Sequence, residues 1–198
     1  MKSLIVLFMS LASLHVFALT TNEMAPVFKL QGVGTNNRDV SLSNLKGKII
    51  VLEWLNHGCP FVKKHYESGN MQSLQKKYTK KNVVWLSIIS SAEGKQGHVN
   101  TAGAIKNKNA HKSFATDILL DPKGRVGKLY MAKTTPHMFI IDKEGKLVYQ
   151  GAIDDTADTN TESIKGSKNY VAQALDEMLA GKAVSTATTK SYGCSVKY

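Results

Sequence analysis

The chain has 198 residues, a length that fits one domain with a full core. Its formal net charge is +11, and the positive residues are lysines scattered along the chain, with Arg38 and Arg125 as the only arginines. Scatter of this kind argues against nucleic acid as a partner and for a solvated surface, with loose attraction to acidic partners or anionic lipid heads as a weaker alternative.

The chain opens MKSLIVLFMSLASLHVFA: a lysine, an apolar stretch, then Ala18 with Val16 two places before it. This pattern predicts a secretory signal over residues 1–18, cleaved near Ala18. The apolar core is short and interrupted by Ser and His, so no membrane span is expected after cleavage; an uncleaved anchor is the alternative. The expected location is periplasmic or secreted. An oxidising compartment permits disulfides, and the chain holds an even number of cysteines, Cys59 and Cys194.

The predicted elements follow in order. Val27 to Lys48 holds two alternating stretches around a Gly/Asn turn, a hairpin signal. KIIVLEWL, Lys48 to Leu55, reads as a strand covered on both faces. Pro60 suits the first position of a helix, which breaks at Ser68-Gly69-Asn70 and resumes through Met71, Leu74 and Tyr78. Asn82 to Ser90 is a second buried strand. A polar loop from Ala92 leads into a helix reaching about Phe114. Asp117 to Asp121 is a short strand, and GRVGKLYM gives a helical turn or two. HMFIIDKEGKLVYQGAID is a hairpin, Asp154 to Lys168 a loop insertion, and NYVAQALDEMLAGK a helix ending at Gly181. The last residues form an extended tail. This order implies one α/β domain, residues 19–185, with three layers and a mixed sheet, followed by a tail, 186–198, carrying Cys194.

Chemistry in open α/β sheets gathers at the carboxyl ends of strands, where Cys59 falls. A cysteine at a helix start meets unpaired N–H groups and the positive end of the helix dipole, which favour the thiolate. Such surroundings lower a thiol pKa from about 8.5 into the range of about 3.5–7.5. His57, Lys63, Lys64 and His65 are candidate cations. The plain alternative is a buried apolar cysteine. Glu53, six residues earlier in the apolar strand, is costly to bury unless paired or protonated, and is the candidate proton acceptor for the thiol. It faces outward or pairs with a lysine in the alternative reading.

The hairpin before the first buried strand, the strand-Cys-Pro-helix junction and TTPHMFIIDKEGKLVYQGAID together resemble the thioredoxin-like fold, and more narrowly the redoxin group (alkyl hydroperoxide reductase/thiol-specific antioxidant, AhpC/TSA). WLNHGCPFVKKHY with the terminal YGCSVKY is similar to an exported peroxiredoxin-like subfamily. The resemblance implies a thioredoxin-like three-layer α/β/α sandwich with an N-terminal β-hairpin extension. It implies that Cys59 is the attacking cysteine, that Glu53 is the buried acid, and that Pro136 is a cis-proline facing the cysteine. The second cysteine of a CxxC motif would fall at Val62, so that motif is absent. Peroxiredoxins carry a PxxxTxxC pattern, whereas the matching positions here are Leu52 and Asn56. Their arginine at the start of the MFIID strand is replaced by Pro136 and His137. Asn56, Thr135 and His137 are the expected substrate-positioning residues.

With no CxxC, a resolving thiol must come from elsewhere, and Cys194 on the tail is the candidate. A static Cys59–Cys194 bridge and an unpaired Cys194 are the alternatives. A further class of function is copper or zinc carriage by cysteine with His137, His57 or His65, and another is a catalytically silent binding module. The expected activity is a thiol-disulfide oxidoreductase, with a peroxiredoxin-type antioxidant as alternative. No metal and no flavin, nicotinamide or haem cofactor is expected, so electrons should arrive through a thiol protein partner.

Overall fold

The nearly unbroken apolar run after Lys48 becomes the middle of a seven-stranded sheet. The computed structural model describes residues 19–34 and 38–198, and the signal expected over residues 1–18 lies outside them. β1 (Lys29–Gly32) and β2 (Asp39–Ser41) form the N-terminal antiparallel hairpin. β3 (Ile50–Trp54), β4 (Val84–Ile89) and β5 (Asp117–Leu120) run parallel to one another. β6 (Thr134–Thr135) is a two-residue strand outside this sheet, and β7 (His137–Ile141) and β8 (Leu147–Gly151) are the second hairpin. The strand order is β2-β1-β5-β4-β3-β7-β8, with β1 antiparallel to β5 and β7 antiparallel to β3. The sheet is therefore mixed.

α1 (Pro60–Glu67) starts at the proline, whose missing N–H is no loss in a first turn. Gly69, at φ 75°, separates α1 from α2 (Asn70–Thr79), in a backbone conformation that costs a glycine little. α3 (Thr101–Ala110) begins where the Asn100 side chain accepts from Gly103 N–H. It stops short of Phe114, because Lys112 takes a positive φ of 50° and turns the chain. α4 (Arg125–Leu129) and α5 (Tyr170–Leu179) complete the helices. The loop insertion contains a 3-10 helix, Thr161–Gly166, that its polar sequence did not announce.

β3 is buried at all its positions because both its faces are covered. On one side, Val51 packs with Met138 and Ile140 under Val62 and Tyr66 of α1, Met71 and Leu74 of α2, and Val171 and Leu175 of α5. On the other, Ile50, Leu52 and Trp54 meet Phe139, with Val126 and Tyr130 of α4 and the N-terminal Ala25 and Phe28. This is the three-layer, thioredoxin-like α/β arrangement that the resemblance implied.

The tail is extended but not loose. Gln150 N–H donates to Ala187 O at 3.0 Å, and Thr189 N–H returns a bond to Gln150 O at 3.1 Å. β9 (Cys194–Ser195) then pairs antiparallel with β6. Beyond it, Val196 N–H donates to Lys133 O, Ala92 N–H to Lys197 O, and the Tyr198 hydroxyl to Ala132 O. The last thirteen residues thus run from the β8 edge across the end of the sheet where β3 gives way to α1.

One helix supplies a direct check on this packing. Leu175 is fully buried on α5, whereas Leu179 is 38% exposed on the same helix. Leu175→Ala should cost about 2–5 kcal/mol in a denaturant melt, and Leu179→Ala well under half of that. Equal losses at the two positions would contradict the placement of α5.

Candidate active site

Cys59 is the N-cap of α1, with extended backbone (φ −80°, ψ 127°), and is completely buried. Its approach is shaped by Asn56. The Asn56 carbonyl accepts from Cys59 N–H at 3.0 Å, its side-chain Oδ1 accepts from Gly58 N–H at 2.8 Å, and its Nδ2 donates to Gln96 O at 3.3 Å. The amide is thus spent on holding the loop that carries the cysteine.

Across from Cys59 lies the turn between β6 and β7. The Thr135–Pro136 peptide is cis, and the Cys59 thiol donates to Thr135 O at 3.0 Å. Cys194, on β9, is register-paired with Thr135, and its Sγ stands 2.6 Å from the Cys59 Sγ with both cysteines free. The sequence separation of the pair is 135 residues. Gly193 is what lets the tail come this close. Its φ is 132°, and a Cβ there would strike the Thr135 carbonyl.

Burial opposes ionisation of Cys59. Hydrogen bonds from the Cys194 thiol and from the Val62 and Cys194 N–H groups outweigh it and hold the Cys59 pKa below the ordinary thiol value. The Thr135 hydroxyl, buried without a hydrogen-bond partner of standard geometry, acts in the same direction. Cys194 moves the other way. Burial, and then the adjacent Cys59, raise its pKa to about 11. The pair therefore divides into a thiolate-prone sulfur that is buried and a proton-retaining sulfur that is partly exposed.

Three of the four cations expected near Cys59, His57, Lys64 and His65, are neutral or otherwise engaged. Burial, with His111 stacked on it at 4.0 Å, lowers the His57 pKa to about 3. Burial, and then Lys64, lower His65 to about 3. Lys64 itself is turned to Asp158 at 3.0 Å and to Thr156 O at 2.7 Å. His57 and His65 are thus neutral at neutral pH. The thiolate is favoured by hydrogen-bond donors and not by these side chains.

Glu53 is fully buried on the face of β3 that meets α1 and α2. Its carboxylate accepts from Tyr66 OH at 2.9 Å, Gln75 Nε2 at 3.1 Å, Trp85 Nε1 at 2.8 Å and Ser87 Oγ at 2.9 Å. Burial raises its pKa, and these bonds oppose that rise. The four donors come from three elements and match the acceptor capacity of a carboxylate. Its hydrogen bonds run to these four groups and none runs to the Cys59 sulfur. His137 is also separate from the sulfurs' bonds: its Nδ1 accepts from Lys133 N–H at 3.2 Å, its ring lies 4.4 Å from Phe139, and burial lowers its pKa to about 4. The structure thus brings Cys59, Cys194, Thr135 and Pro136 together, with Asn56 supporting the loop, and sets Glu53 and His137 in flanking networks of their own.

Sequence reasoning missed Tyr192, whose hydroxyl donates to Asp154 Oδ1 and lies 3.1 Å from His65 Nε2. The signal was available only as adjacency: Tyr192 in YGC, and Lys64 and His65 in KKHY, were quoted without a reason to join them.

A model of the AhpC/TSA family matches residues 21–150, well over half of the chain, and the chain belongs to that family. No curated protein sequence matches it at a significant level. A solved uncharacterized conserved protein from Geobacillus kaustophilus is 27% identical, with a TM-score of 0.75 over 91% of this chain and 93% of that one. A hypothetical protein from Sinorhizobium meliloti shares the fold at 23% identity, with a TM-score of 0.75 over 92% of this chain and 96% of the other. A Chlorobium tepidum protein described as thiol:disulfide interchange protein DsbE is 27% identical, with a TM-score of 0.52 over 67% of this chain and 85% of its own. The family match ends before α5 and the tail.

The opposed pKa directions give a test by pH-dependent alkylation of the reduced protein with iodoacetamide, followed by peptide mapping. Only thiolates react, so Cys59 labelling should reach half its maximum below the ordinary thiol pKa of about 8.5, and Cys194 labelling well above it. The reverse order of midpoints would contradict the assignment.

Proposed function

We propose that this member of the AhpC/TSA family is an exported thiol-disulfide oxidoreductase that uses Cys59 as nucleophile and Cys194 as resolving thiol. The observation that carries the reading is the 2.6 Å approach of the two sulfurs at the start of α1, beside the cis Thr135–Pro136 peptide. The described solved relative named as a thiol:disulfide interchange protein agrees with it in kind. Export rests on the signal-like first 18 residues. Residues 19–185 act as the redoxin domain and residues 186–198 as a redox-bearing tail.

The chemistry balances as two exchanges. The Cys59 thiolate attacks one sulfur of a substrate disulfide; a mixed disulfide forms and the other substrate sulfur leaves as thiolate. Cys194 then loses its proton to that leaving group and attacks the Cys59 sulfur. A Cys59–Cys194 bond forms, the mixed disulfide breaks, and the substrate has gained two electrons. A dithiol protein partner returns them by the reverse sequence, and the same steps run backwards would oxidise a substrate. A lowered Cys59 pKa makes it both the better thiolate and the better leaving group. Thr135 and Pro136 shape the surface on which the substrate disulfide meets Cys59, and Asn56 fixes the loop. Glu53, its acceptors filled by four donors, ties β3 to α1, α2 and β4 beneath the site in place of the proton-acceptor role expected of it, and His137 supports the β6–β7 turn.

Disulfide reduction is favoured over peroxide reduction by what touches the nucleophile. The Cys59 sulfur meets the Thr135 carbonyl, and the donors around it, the Cys194 thiol, the Val62 and Cys194 N–H groups and the Thr135 hydroxyl, are spent on the sulfur itself, while the Asn56 amide is committed to Gly58 and Gln96. A carbonyl oxygen offers nothing to a developing negative charge on a peroxide oxygen.

Turnover of a small disulfide substrate with a dithiol donor tests the roles. Cys59→Ser should lose about a thousandfold or more in rate. Cys194→Ser should accumulate a mixed disulfide on Cys59, visible by mass spectrometry. A Cys59→Ser variant that keeps its activity would sink the proposal.

A further inference from the structure

Tyr192 lies two residues before Cys194, and its surroundings form a complete socket. Its hydroxyl donates a hydrogen bond to Asp154 Oδ1. The Asn70 amide nitrogen is 2.9 Å from His65 Nδ1, so the neutral His65 ring carries its proton on Nε2 and donates it to the Tyr192 oxygen at 3.1 Å. A directed chain of donors thus runs from Asn70 through His65 and Tyr192 to Asp154. The phenol ring stands 5.8 Å from the Phe61 ring and 5.9 Å from Lys64 Nζ. Lys64 is itself buried and bonded to Thr156 O and Asp158, which fixes the loop that presents Asp154.

This socket is made from one turn of α1, the helix that Cys59 caps, from the first residue of α2 and from the loop after β8. It therefore references the tail to the same helix that positions the nucleophile. On the far side of Cys194 the tail is held by β6 and by Lys133 O. Two anchors on opposite sides of one residue leave it little freedom. Closing a bridge between two thiols is an intramolecular reaction, and its equilibrium follows the effective concentration of one thiol at the other.

We propose that Tyr192 is a positioning residue for the redox pair: its socket latches the tail so that Cys194 stays over Cys59, and Cys59 meets an external thiol or disulfide when the tail lifts. The proposal rests on the reading that Cys59 and Cys194 exchange a disulfide. When oxidised glutathione is the oxidant, the Cys59–Cys194 bond forms, the glutathione disulfide breaks, and two glutathione thiols carry away two electrons and the protons of the two cysteines.

The test equilibrates wild type, Tyr192→Ala and Tyr192→Phe with glutathione at set ratios, followed by acid quench, alkylation and mass analysis. Tyr192→Ala should lower the bridge equilibrium constant about tenfold, equivalent to a potential about 30 mV less negative. Tyr192→Phe keeps the ring and loses the hydroxyl bonds, so it should fall between the two. In a Cys194→Ser background, Tyr192→Ala should also raise the rate at which iodoacetamide alkylates Cys59 several-fold, a change that a general loss of stability in a still-folded protein would not produce. Unchanged equilibrium and unchanged alkylation in Tyr192→Ala would overturn the latch. A wild-type chain that forms the bridge normally while Tyr192→Ala does not change it rejects the latch alone. A wild-type chain that forms no bridge overturns the redox reading and the positioning role together.

Discussion

The contact between the Cys59 and Cys194 sulfurs joins residues 135 apart in sequence, and the rest of the site exists to maintain it. Each side of the contact is held by a different kind of structure. Cys59 is fixed by the fold itself: a strand buried on both faces ends, Asn56 braces the loop, and Pro60 starts a helix. Cys194 is fixed by an extended segment that adds only partly buried side chains to the core, and which the domain grips by backbone pairing at β6 and by side-chain bonds at Tyr192. The first kind of restraint is rigid, and the second can open without unfolding the sheet. That difference suits a site whose nucleophile is fully buried when the tail is in place.

Much of the first kind of restraint was legible in the sequence. KIIVLEWL has the continuous apolar run of a strand covered on both sides, and the structure buries every residue from Ile50 to Trp54. Pro60 marked the helix start and Gly69 the helix break for reasons local to their own backbones. Less was legible where the cause lies across the chain. The pairing of β1 with β5, and not with β3, depends on the three-dimensional twist and cover of the whole sheet. The Glu53 donors come from α1, α2 and β4, and no spacing rule connects Tyr66, Gln75, Trp85 and Ser87. The socket of Tyr192 needs the loop after β8 to fold back onto α1, which composition cannot reveal.

The histidines show how burial redirects a plausible chemical role. Next to Cys59 in sequence, His57 and His65 read as cations that would draw out the thiolate. In the fold they are stacked or bonded within apolar surroundings and stay neutral. The favourable field at Cys59 comes instead from N–H and S–H donors that converge on it once the helix and tail are in place. The same donors explain why the two thiols diverge: what stabilises charge on Cys59 is partly the proton retained by Cys194.

A redox titration of the protein lacking residues 1–18, with both cysteines mapped by mass spectrometry, tests the account most directly. The account predicts a Cys59–Cys194 bridge that forms and breaks reversibly at a potential between about −120 and −270 mV, the span of dedicated exchange proteins. A bridge that resists reduction well below about −300 mV, the range of structural disulfides, would contradict it and make the tail a fixed strap.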